Sequence, residues 1–209
     1  MDQPQVSWGA PHAERADAAR NRAHLLATAR QMLAEQGADK LTMDALAEQA
    51  GLGKGTVFRR FGTRAGIFAA LLDDDELAFQ QQVLAGPPPL GPGAAPLDRL
   101  IAYGRARTGF LIAHREIARA ALDGRETVPA GSPSPMSREH IRFLLGQLSL
   151  GVADIDVLAT QLTAALDGPP LLYVSSAVLT ESAPQVSERL GCGWEDLVRR
   201  VCRPDALLS

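Results

Sequence analysis

The tripeptide Gly51-Leu52-Gly53 stands between two short stretches of helical periodicity, and this arrangement restricts the fold more than any other feature. Upstream, Met43, Leu46, Ala47 and Ala50 repeat at positions 0, 3, 4 and 7, a spacing that gathers apolar side chains on one helix face. Thr42 can cap that helix, Asp44 sits in its positive first turn, and Leu41 and Leu46 occupy the two staple positions. Downstream, Lys54 to Phe61 reads as a second short helix ended by Gly62. At about 100° per residue, Val57 and Phe61 fall together and face a core with Leu52. Gly55, Thr56 and Arg59 point the other way, with Lys54 and Phe58 at the edges. Two short helices joined by a glycine turn, the second of them basic, form the unit that lays a helix in the DNA major groove.

The helical period continues on both sides. Leu25, Leu26, Ala29, Met32 and Leu33 share one face of a helix expected over 17–36 and stopped at Gly37. Thr63 can cap a fourth helix, whose stripe begins Ile67, Phe68, Leu71 and Leu72 and turns acidic from Asp73 to Glu76. The Pro- and Gly-rich stretch 86–96 reads as a loop, and a second lies over 123–135. Helical patterns occupy 97–114, a short run to 122, then 137–150, 155–166, 170–180, 184–190 and 194–202. No alternating strand pattern of useful length occurs, so the chain is expected to be all-α. Its organisation reads as a flexible tail over 1–16, a three-helix helix-turn-helix domain over 17–64 with the motif at about 42–61, and a larger helical domain over 65–203.

The formal net charge of −3 argues against a nucleic-acid partner only if the charges are evenly spread. They are not. Residues 15–64 carry nine Lys or Arg against five Asp or Glu, a balance of +4 that leaves −7 for the rest. The stretch 51–64 holds Lys54, Arg59, Arg60 and Arg64 and no acid. Attraction to phosphate would be local to this basic head. Arg59 suits a guanine edge or a phosphate, Lys54 lies at a helix start where backbone amides also meet phosphate, and Gly55 lets the backbone come close.

The string Leu41-Thr42-Met43-Asp44-Ala45-Leu46-Ala47, followed by Ala50-Gly51-Leu52-Gly53-Lys54-Gly55-Thr56-Val57-Phe58-Arg59-Arg60-Phe61, resembles the signature of TetR-type transcriptional regulators. The resemblance runs from about Arg22 to Leu72 and includes the Gly37 stop and the Thr63-Arg64 helix start. It implies DNA-facing positions for Thr42, Lys54, Gly55, Thr56, Phe58, Arg59 and Arg64. One departure stands out: Phe58 occupies a place where the family usually has a tyrosine whose hydroxyl meets a phosphate. Its ring is left to pack on the DNA backbone or on a thymine methyl, or else to sit in the core.

The resemblance also implies a C-terminal helical domain that dimerises through its last long helices and encloses a small-molecule pocket. The chain is accordingly expected to be a repressor and not an enzyme, a homodimer on a palindromic double-stranded operator, released by an unidentified small-molecule effector. The apolar faces of 155–166 and 170–180 suit a four-helix interface, and an intramolecular core explains them equally well. Polar residues within apolar stretches are the effector-binding candidates: Tyr103, Thr108, His140, Gln147 and Gln161, with His114 and Tyr173 of the same kind. Each alone is more often a surface or a satisfied core residue.

No metal or cofactor is expected. His114 and His140 have Glu116 and Glu139 nearby, but no two histidines lie four apart on one helix. Cys192 and Cys202, ten positions apart, match neither a metal clip nor a redox pair, which suits a reducing compartment. The start of the chain lacks the pattern of a secretory leader, and the longest apolar run, 171–179, is too short to span a bilayer and contains two serines. A cytoplasmic protein without a membrane partner is expected. The alternative reading is a helical small-molecule-binding protein or enzyme with an incidental hairpin. No phosphate-cradling loop, HExxH, nucleophile elbow or paired cysteine set speaks for it.

Overall fold

The computed structural model describes residues 10–121, 135–151, 154–175 and 182–202. Among the described residues the regular structure is entirely helical: α1 (Ala10–Gln36), α2 (Met43–Gln49), α3 (Lys54–Phe61), α4 (Arg64–Ala85), α5 (Pro96–Ala113), α6 (Arg115–Ala121), α7 (Pro135–Leu145), α8 (Ile155–Ser175) and α9 (Ala183–Val201). A single 3₁₀ turn, Ala38–Lys40, separates α1 from α2. The chain divides into two compact units, Met1–Leu71 and Leu72–Ser209, and the division falls within α4. The loop expected over 123–135 lies outside the described residues except at its last position, where α7 begins, as do residues 1–9 of the expected tail and 176–180.

The first unit is built on side chains that the helical period gathers together. Leu25, Leu26, Ala29 and Met32 of α1, Leu46 and Ala47 of α2, Val57 of α3, and Ile67, Phe68 and Leu71 of α4 are all buried, with Leu41 and Ala50 beside them. Polar links fix the helix ends. The His24 ring Nε2 lies 3.0 Å from the Ala50 carbonyl oxygen and ties α1 to the end of α2. Thr42 caps α2 through the Ala45 amide at 3.1 Å, and Thr63 accepts from the Gly66 amide at the start of α4.

In the second unit α5 is the central helix, packed against α9, α8 and α7, while α7 packs on α8. Its core joins Phe79 and Val83 of α4 to Leu100, Ile101 and Tyr103 of α5, Ile141, Leu144 and Leu145 of α7, Leu162 and Leu166 of α8, and Trp194 and Val198 of α9. Several polar groups are buried with it. Tyr103 donates to Ser137 Oγ at 2.7 Å, Trp194 Nε1 donates to the Leu100 carbonyl oxygen at 3.0 Å, and Arg107 pairs with Glu76.

Four element boundaries differ from the sequence reading. α1 begins at Ala10, seven residues before the expected start, and α7 ends at Leu145 instead of residue 150. The two helices expected over 155–166 and 170–180 form one helix, α8, which runs through Gly168-Pro169-Pro170. A proline inside a helix removes a bond and bends it without obliging it to stop. The helices expected over 184–190 and 194–202 are likewise one, α9, with Gly191-Cys192-Gly193 in its middle. Gly191 is buried, and a Cβ there would lie 3.4 Å from the Arg105 side chain, so α9 crosses α5 closely at that glycine.

Candidate nucleic-acid interface

The turn between α2 and α3 depends on backbone that only glycine adopts readily. Gly51 has φ +64°, and the turn closes through the Leu52 amide to the Ala47 carbonyl oxygen at 3.0 Å. Gly62, at φ +72°, ends α3 with its amide on the Phe58 carbonyl oxygen at 2.8 Å. α3 therefore has fixed limits at both ends. Val57 is its one buried residue, and it sets the rotation of the helix.

That rotation turns Lys54, Gly55, Phe58, Arg59 and Arg60 to solvent, with Thr56 and Phe61 half-buried. Phe58 is 66% exposed. Arg59 makes no hydrogen bond or ion pair among the described residues. Gly53 offers no side-chain cap to α3, so the Lys54 and Gly55 amides have no acceptor within the helix. A Cβ at Gly55 would meet nothing within 4 Å, which shows that the chain's own packing does not call for glycine there.

Lys54, Arg60 and Arg64, by contrast, are engaged. Lys54 Nζ lies 2.9 Å from Asp44 Oδ1, an exposed pair across the turn. Arg60 donates to the Ala18 carbonyl oxygen at 2.9 Å and so ties α3 to α1. Arg64 turns inward: Nε donates to the Leu41 carbonyl oxygen at 2.8 Å, Nη2 to that of Ala38 at 2.6 Å, and the guanidinium lies 4.9 Å from the Phe68 ring centroid. Of the seven DNA-facing candidates, Thr42, Lys54, Gly55, Phe58 and Arg59 are thus exposed, Thr56 is half-buried, and Arg64 is committed to the chain's own carbonyls. Asp44 as the Lys54 partner and Arg60 as the tie to α1 have no signal in the sequence, because both contacts join separate helices and a helical period reports on one helix at a time.

The effector candidates separate into two groups. Tyr103, Thr108 and His140 are buried, while Gln147 and Gln161 are exposed. Thr108 lines a cleft of about 220 Å³ together with Leu166, Leu190, Trp194 and Leu197. His140 lies 4.8 Å from the Tyr103 ring, centroid to centroid, and burial, with the Arg99 charge second, pulls its pKa down to about 4. Its Nε2, together with Arg99 Nε, Arg107 Nε and Asp167 Oδ1, is buried without a hydrogen-bond partner. Burial raises the Asp167 carboxyl above its ordinary range in spite of the nearby Arg107 charge. His114 is held by the Phe110 carbonyl oxygen and by Asp75 at 3.1 Å. The side chain of Tyr173 lies outside the described residues. No group of three or more His, Cys, Asp or Glu among the described residues is placed to hold a metal. No described helix is long and apolar enough to cross a membrane.

Comparison with known proteins bears on this geometry. Residues 25–71 match the model of bacterial regulatory proteins of the tetR family. No curated protein matches the chain. Among solved structures, a TetR-family transcriptional regulator from Pectobacterium atrosepticum is similar with a TM-score of 0.68 at 22% identity, over 90% of this chain and 97% of that one. NalD, the secondary repressor of the MexAB-OprM multidrug efflux pump in Pseudomonas aeruginosa, is similar with a TM-score of 0.53 at 18% identity, over 91% of this chain and 99% of its own. At such identities the likeness is one of fold.

Proposed function

We propose that this chain, whose residues 25–71 match the model of bacterial regulatory proteins of the tetR family, is a transcriptional repressor of that family that binds a palindromic operator as a homodimer and is released by a small-molecule effector. The observation that carries the reading is the surface of α3, where one buried residue, Val57, leaves Lys54, Gly55, Phe58 and Arg59 exposed on a helix with no acid. Arg59, exposed and unengaged, reads a guanine edge or a phosphate. The uncapped amides of Lys54 and Gly55 take a phosphate, with Thr42 and Thr56 beside them. Arg64 acts by holding the backbone before α2 in place for this surface.

The second unit supplies the rest. Val157 of α8 and Leu197 and Val201 of α9 are exposed apolar side chains suited to a second copy of the chain. The effector is received by this unit, with Thr108 at the cleft and Tyr103 and His140 as buried polar groups. Gln147 and Gln161, being exposed, suit that role less well. The repressor role of NalD, a protein of the same fold, supports the choice of repression over activation. Cytoplasmic placement follows from a DNA target.

The test is selective binding of a palindromic duplex from the DNA around the chain's own gene. Binding should fall steeply with salt, and Arg59→Ala should lose it while remaining dimeric. Unchanged specific binding by that variant would sink the assigned face.

A further inference from the structure

Phe58 is the most exposed large apolar side chain among the described residues. It stands one helical turn beyond Lys54, and a helical side chain leans toward the N-terminus of its helix, which carries the ring over the turn containing Lys54 and Gly55. Gly55 brings no side chain to that turn, and a Cβ there would meet nothing within 4 Å. Arg59 follows directly and is unengaged. The result is an apolar plate between Lys54, which faces Asp44 across the turn, and the unengaged Arg59, on a helix that itself carries no acid.

What covers such a plate must be apolar at one point and anionic around it. The DNA major groove meets both conditions, since phosphates line it and its one apolar feature is the 5-methyl group of thymine. A phenyl ring has no hydroxyl to give a phosphate and no donor or acceptor for a base edge. Resting on the proposed operator-binding role of α3, we infer that Phe58 specifies thymine at one position of each operator half-site by packing on its methyl group.

The experiment starts from a palindromic duplex that the full-length protein selects from a random-sequence pool. Each thymine is replaced in turn by deoxyuridine in both half-sites, and dissociation constants are measured by fluorescence anisotropy at one salt concentration for the parent, Phe58→Ala and Phe58→Leu. At one thymine per half-site the parent should lose affinity about fourfold per methyl removed. Phe58→Ala should be indifferent to that methyl, and Phe58→Leu should retain part of the response. If no methyl effect depends on residue 58, the inference is overturned. It is overturned too if Phe58→Ala weakens selected and scrambled duplexes equally, which would place the ring on the sugar-phosphate backbone, or if Phe58→Ala binds as tightly as the parent. These three outcomes leave the operator-binding reading intact, because Arg59→Ala tests that separately. Failure to select any duplex overturns both.

Discussion

Gly104 of α5 lies directly against the indole of Trp194 on α9: a Cβ placed on Gly104 would stand 1.9 Å from Nε1. The same Nε1 donates to the Leu100 carbonyl oxygen at 3.0 Å, so the ring cannot move aside without giving up a buried hydrogen bond. Gly104→Ala should therefore lower stability by about 3 kcal/mol, read as the urea midpoint, although alanine is the better helix former. An unchanged or higher midpoint would mean that the indole has room to shift.

Stability should fall off on both sides of neutrality for identifiable reasons. Burial holds His140 at about 4, below its ordinary 6.5, so its contribution is present above 6.5 and is lost as pH falls through 4. Burial also pushes Tyr103 up to about 12 from 10.0, and that contribution is present below 10 and lost as pH rises through 12. His140→Gln should flatten the acid limb of a melting-temperature profile and Tyr103→Phe the alkaline limb. Profiles that keep the parent's shape would contradict both assignments.

Lys54 is occupied by Asp44 in the free protein, at 2.9 Å and in full view of solvent. An exposed pair of this kind contributes less than about 1 kcal/mol. Asp44→Asn should leave the melting temperature nearly unchanged while tightening duplex binding severalfold, because the nearby negative charge is gone and the ammonium is free for phosphate. Weaker binding in a titration at constant salt would show instead that Asp44 orients Lys54 for its contact.

Arg64 gives a way to separate support from contact. Arg64→Lys keeps the charge but cannot span the Leu41 and Ala38 carbonyl oxygens, which the guanidinium reaches together. Loss of these bonds should cost about 1–3 kcal/mol of stability in the first unit, with weaker operator binding in parallel. Weaker binding with an unchanged denaturation curve would indicate that the guanidinium itself meets DNA.

The legibility of this chain follows the range of the forces involved. α3 was bounded at Lys54 and Phe61 from sequence because Gly53 and Gly62 act locally, and the α2 cap at Thr42 is equally local. Gly168-Pro169-Pro170 and Gly191-Cys192-Gly193 are breakers by the same local rules, yet α8 and α9 run through them. The packing of α5 against both helices outweighs those rules, and it comes from residues far away in sequence. At the candidate interface, the exposed α3 face was readable from a wheel that placed Val57 inward. The engagement of Arg64 by Leu41 and Ala38, 23 and 26 residues away, was not, because a basic residue after Thr63 looks alike whether it faces solvent or the chain.

With Val57 alone fully buried on α3, the exposed residues Lys54, Gly55, Phe58 and Arg59 can change without touching the core. The glycines at its two ends would hold a rewritten helix in the same pose. On the operator-binding role proposed for α3, reading and folding are separable properties. A duplicated copy of such a gene could acquire a new target sequence through a handful of surface changes, each nearly neutral for the stability of the protein that carries it.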